Sequence, residues 1–119
     1  MQNIEQKVFR QRALIEVKVN IELTEDVLKN FLKGLANHLN LRIYGGPIVY
    51  STKGVGGKEI NQGFDGFCSL IESGISISVW SSVKLVSVIL HTCKGFKVEE
   101  AVRFTKEFFK ATKIAYKEF

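Results

Sequence analysis

The sequence predicts an α+β fold, a two-layer sandwich in which a mainly antiparallel sheet carries two helices on one face. Three observations lead there. Several short stretches alternate apolar and polar residues, the period of a half-buried strand. Two other stretches, 24–40 and 98–109, repeat apolar residues at helical spacing. The order is strand, helix, several strands joined by short turns, then helix, and short turns join antiparallel neighbours.

The elements follow in chain order. Residues 13–19 (ALIEVKV) alternate and read as the first strand. Thr24 can cap a helix, with Glu25 and Asp26 well placed in its first turn. Val27, Leu28, Phe31, Leu32, Leu35 and Leu39 then share one face, and the helix ends near Asn40. Residues 41–50 read as a strand interrupted by Gly45, Gly46 and Pro47. Residues 51–62 hold Gly54, Gly56 and Gly57 and read as a flexible loop. Residues 64–71 and 75–80 read as strands with a turn at Ser73-Gly74, and 83–90 (VKLVSVIL) as a central strand. Lys94 and Gly95 break the pattern. Val98, Ala101, Val102, Thr105, Phe108 and Phe109 line a second helix, whose other side carries a basic stripe of Arg103, Lys106, Lys110, Lys113 and Lys117. The sheet face without helices needs a partner or a polar surface.

The chain of 119 residues fits one domain, 1–119, with a modest core that pairing with a second copy would help. Its 45% hydrophobic and 24% charged residues are an ordinary globular balance, not a disordered one. The net charge of +5 can attract anions. The basic stripe nevertheless reads as a solvated helix face, and nucleic-acid binding is not expected. No apolar run reaches membrane-span length, and residues 1–11 lack an apolar signal core, so a cytoplasmic protein is expected, without a membrane partner. Cys68 and Cys93 then read as free thiols, and their spacing does not suggest a metal site.

The most informative stretch is 63–80, GFDGFCSLIESGISISVW, followed by His91, Thr92 and Cys93. Taken singly these residues have ordinary uses. A Glu-Ser pair is common at turns, a cysteine at a strand end is usually a small buried residue, and a tryptophan is usually core. Together, Gly63, Gly66, Ile71, Glu72, Ser73, Ile75, Ser76, Ile77, Trp80, Thr92 and Cys93 stand at a spacing that resembles the small prokaryotic S-adenosylmethionine decarboxylases. The segment Leu14-Ile15-Glu16 is similar to that family's first strand.

The resemblance implies an S-adenosylmethionine decarboxylase-like sandwich and a pyruvoyl-dependent lyase of spermidine and polyamine synthesis. In that family a serine hydroxyl attacks the carbonyl of the preceding glutamate, the chain splits, and the serine becomes a pyruvoyl cofactor. Carried over, Ser73 is the pyruvoyl precursor and cleavage falls between Glu72 and Ser73. Cys93 is the proton donor after decarboxylation, a task a thiol suits near neutral pH. Trp80 and Glu16 lie on the substrate side. The resemblance further implies a homodimer and a small-molecule substrate, S-adenosylmethionine or a related amino acid.

The sequence departs from the family at four places. The family's histidine five residues after the serine, the base of the cleaving elimination, is Ser78 here, and a hydroxyl is a poor base. The hydroxyl residue before the second glycine is Asp65, which is either a substitute base, if it lies near Ser73, or a solvated strand-edge carboxylate. The Pro-Glu after the tryptophan is Ser81-Ser82, and 59–62 lack the family's stacking aromatic, for which Tyr50 or Phe64 are candidates. These departures keep two alternatives open. One is a non-catalytic, uncleaved homologue acting as scaffold or regulatory subunit, alone or paired with an active paralogue. The other is a pyruvoyl-dependent decarboxylase of another amino acid.

Overall fold

The computed structural model describes residues 3–54 and 58–119, so the expectation for Gly56 and Gly57 falls outside it. Six strands form one sheet in the order β2-β3-β4-β5-β1-β6, and all neighbours run antiparallel. They are β1 (Gln11–Lys18), β2 (Ile43–Ser51), β3 (Gly63–Leu70), β4 (Ser73–Trp80), β5 (Leu85–Thr92) and β6 (Lys113–Glu118). Helices α1 (Glu25–His38) and α2 (Val98–Phe109) both pack on one face. Among the described residues no helix is long and apolar enough to cross a membrane.

Alternation decides which side chains meet the helices. Ile15 and Val17 of β1, Cys68 and Leu70 of β3, Ile75, Ile77 and Val79 of β4, and Val86, Val88 and Leu90 of β5 are buried beneath them. Leu28, Phe31, Leu32 and Leu35 of α1 complete the core, and the Phe31 ring packs tilted against Phe109 and edge-on against Phe108 of α2, with centroids 4.6 and 5.3 Å apart. The Thr24 hydroxyl accepts from the Val27 N–H at 3.2 Å, capping α1 as its sequence predicts. The strand through Gly45, Gly46 and Pro47 survives its irregular residues by shifting register twice against β3.

Two expectations are corrected. The turn lies at Ile71 and Glu72, not at Ser73-Gly74, because Leu70 pairs with Ser73 and Gly74 is already opposite Ser69. The basic stripe does not run along one helix. Helix α2 ends at Phe109, Lys110 turns the chain with φ 49°, and Lys113 and Lys117 lie on β6, an edge strand paired with β1.

Candidate functional site

The two-residue turn at Ile71 and Glu72 delivers Ser73 into β4 with φ 128°. A residue with a Cβ holds such a conformation at a cost on the order of 1–3 kcal/mol, so the surroundings must fix it. They do so from both sides. The Ile71 N–H donates to the Arg42 carbonyl at 2.9 Å, and the Cys93 N–H donates to the Glu72 carbonyl at 2.8 Å. The Glu72 carboxylate is only 4% exposed. Oε1 accepts the Arg42 backbone N–H at 2.8 Å and Oε2 accepts Arg42 Nε at 2.8 Å. The Arg42 backbone N–H first, and its guanidinium second, hold this carboxyl below the usual carboxylate range, against the opposing effect of burial.

Cys93 follows β5 directly, and Ser73 is paired with Thr92. The backbone of Cys93 therefore lies against the Glu72–Ser73 peptide, with its N–H on the oxygen that would gather charge if a nucleophile added to that carbonyl. Ser73 and Cys93 are both exposed. Thr92 between these partners is buried and donates its hydroxyl to the Lys94 carbonyl at 2.6 Å, which fixes the turn after β5. Cys68, the other free thiol, is buried in the core, and burial pushes its thiol up.

The remaining sequence candidates gather elsewhere, on the face that carries no helix. Asp65 of β3 is opposite Ser78 of β4, Ser78 is opposite Ser87 of β5, and Ser87 is opposite Glu16 of β1. These four form one row across the sheet. Trp80 lies two residues beyond Ser78 on the same side. From Ser73 to Ser78 the strand advances five residues, about 16 Å. Asp65 is thus exposed and stands beside Ser78, not beside Ser73 of its own chain, and β3 is an inner strand rather than an edge. Near the Trp80 end, Glu59, Gln62, Phe64, Ser81 and Ser82 line a cavity of about 210 Å³. Tyr50 lines a different one, beside Asp65 and Phe67.

A family profile described as S-adenosylmethionine decarboxylase matches residues 14–119. The chain belongs to the S-adenosylmethionine decarboxylase family. Among solved structures, the adenosylmethionine decarboxylase from Aquifex aeolicus VF5 is similar at a TM-score of 0.73, with 21% identity over 94% of this chain and 89% of that one. At that identity the likeness bears on the fold, which is the α+β arrangement the sequence predicts. No curated protein matches.

Within this family fold, the Gly63 and Gly66 of the recognisable stretch have packing reasons. A Cβ on Gly63 would stand 1.9 Å from the Val79 carbonyl oxygen, and one on Gly66 would meet Ile77 and Val49 side chains at 2.9 and 3.0 Å. Two residues of the site were not singled out from sequence. Arg42 is 30 positions from the glutamate it binds, so no local pattern announces it. Glu59 lines the cavity together with Ser82, where the family's own glutamate is replaced, and only the fold brings the two together.

Proposed function

We propose that this chain is a self-processing S-adenosylmethionine decarboxylase of spermidine synthesis, a single domain that cleaves itself between Glu72 and Ser73 and works as a cytoplasmic homodimer. The observation that carries this reading is the bend at 71–73, where a serine with φ 128° follows a carbonyl that accepts the Cys93 N–H at 2.8 Å. That arrangement suits an N-to-O acyl shift. Ser73 Oγ adds to the Glu72 carbonyl carbon, the C–N bond breaks, and the hydroxyl proton passes to the freed amine, leaving an ester. A donor already on the carbonyl oxygen stabilises the charge that develops there.

A base then takes the Ser73 α-proton while the backbone carboxylate of residue 72 leaves from Ser73 Cβ, which splits the chain. Water displaces the nitrogen as ammonia, and the new amino terminus carries a pyruvoyl group. The residues present fit such a group, because Ser73 is exposed at the end of the sheet with Cys93 beside it. Once formed, that group supplies a ketone that engages the substrate amine and draws electrons as carbon dioxide departs. In this reading Cys93, whose backbone adjoins the bend, returns a proton to the carbon so exposed.

Distance supports dimerisation. Ser78, Asp65, Trp80 and the Glu59 cavity lie toward the opposite end of β4 from Ser73, too far for one small substrate to touch both ends in one chain. The helix-free face also exposes Ile48, Tyr50, Phe67 and Ile89. Two such faces packed head to tail would cover these residues. They would also set the Asp65–Ser78 pair of one copy near the Ser73 bend of its partner, where Asp65 can take the role of base. The free thiols of Cys68 and Cys93 suit a reducing compartment.

A second reading, an uncleaved regulatory homologue, is favoured by Ser78 in place of the histidine base. Intact-mass spectrometry separates the two. Fragments 1–72 and 73–119, the second blocked by a pyruvoyl group, support self-processing, and Ser73→Ala should abolish them. A single full-length mass from the purified protein and from the Ser78→His, Asp65→Ser variant would sink the first reading.

A further inference from the structure

We propose that Arg42 is a positioning residue for the acyl shift, holding the Glu72 side chain so that the turn before Ser73 keeps its reactive shape. The proposal rests on the self-processing reading above and concerns its first step. Three bonds run between residue 42 and the turn. The Arg42 carbonyl receives the Ile71 N–H, its backbone N–H reaches Glu72 Oε1, and its Nε reaches Oε2. Among the described residues, the Glu72 carboxylate has no other side-chain partner.

The asymmetry of the pair shows its purpose. The Glu72 side chain is 5% exposed and the Arg42 side chain 68% exposed. An exposed pair of long side chains fixes little, but a buried carboxylate is committed to whatever binds it. Removing the guanidinium leaves Oε2 buried without a donor, and the cheapest relief is for Glu72 to swing toward water. Glu72 is also the acyl donor, so relief taken through the turn backbone displaces the scissile carbonyl. The Cys93 N–H grips that carbonyl from β5 while Arg42 grips the side chain from the start of β2. With either grip lost, the angle that carbonyl presents to an attacking hydroxyl is no longer fixed. Displacements near 1 Å at a reacting centre cost on the order of a hundredfold in rate.

The shift precedes elimination, so it does not depend on the residue at position 78. Hydroxylamine reads it directly. It attacks the ester carbonyl, giving a Glu72 hydroxamate on fragment 1–72 and an unmodified serine terminus on fragment 73–119. The purified chain is incubated with hydroxylamine at neutral pH without denaturant, and fragments are counted by mass. Where the chain is already cleaved on purification, the same variants are compared by cleavage rate during cell-free synthesis.

The expected result is fragmentation of the wild type, none from Ser73→Ala, at least tenfold slower release from Arg42→Ala, and substantial recovery in Arg42→Lys, with melting temperatures that do not follow the same order. Should Arg42→Ala fail to fold, Glu72→Gln takes its place under the same tenfold criterion. Equal rates in Arg42→Ala and wild type would overturn the role of Arg42 while leaving self-processing intact. No fragments from either the wild type or the Ser78→His, Asp65→Ser chain would overturn self-processing, and this proposal with it.

Discussion

Alternate residues of the same strands face two different worlds in this protein. On one side Ile75, Ile77 and Val79 of β4, with Val86, Val88 and Leu90 of β5, lie sealed under the helices. On the other, the same strands present Ser76, Ser78, Ser87 and Ile89, with Asp65 and Glu16 in the Ser78 row. The covered face obeys one constraint, that apolar volume be filled. The bare face mixes a polar row with exposed Ile48, Tyr50 and Phe67, which the proposed dimer would cover. The family's departures at 65 and 78 fall wholly on the bare face. Both positions lie away from the core and away from the bend at the sheet end.

The contrast can be broken or sharpened by experiment. The largest effect should come from the covered side. Phe31→Ala removes a fully buried ring and should cost about 3–5 kcal/mol, read from urea unfolding. A loss below 1 kcal/mol would mean that the aromatic cluster is not the core. On the bare face, Ser78→His with Asp65→Ser should speed chain cleavage by about 10² or more while leaving the unfolding midpoint nearly unchanged. Ile89→Lys comes next. It should convert a dimer to a monomer in light scattering and shift monomer stability by only about 0.5 kcal/mol. An unchanged mass would argue that this face is not the contact.

The smallest effect concerns the bend that joins the faces. The folded Glu72 carboxyl is held below its ordinary value, so its contribution to stability is complete above the ordinary carboxylate range. It is lost as pH falls through the depressed value. As pH falls below the ordinary carboxylate range, the wild type should therefore lose melting temperature faster than Glu72→Gln, and the two curves should converge in acid. Parallel curves would show that the ion pair with Arg42 does not stabilise the fold.

Local features of the chain were the legible ones. The Thr24 cap, the Leu28–Phe31–Leu35 face of α1 and the alternation of β1 and β4 depend on neighbours within a few residues, and each formed as its pattern implies. Strand β6 did not announce itself. Lys110, Lys113 and Lys117 imitate a helical stripe, and the segment becomes a strand because the free edge of β1 supplies its hydrogen-bond partners. The turn was misplaced by two residues because Ser73-Gly74 has good turn chemistry, whereas register against β3 and β5 sets the real one.

By itself the sequence determined the types of the first five strands and both helices, the family kinship and the Glu72–Ser73 pair at which cleavage is proposed. These depend on residue identity and short spacing, which a linear chain displays. Only the tertiary structure decided that Asp65 stands beside Ser78 and far from Ser73, that Cys93 reaches the Glu72 carbonyl through its backbone, and that Arg42 anchors the turn. Each of these is a contact between strands. Register sets such contacts, and register follows from the whole sheet burying its apolar side at once.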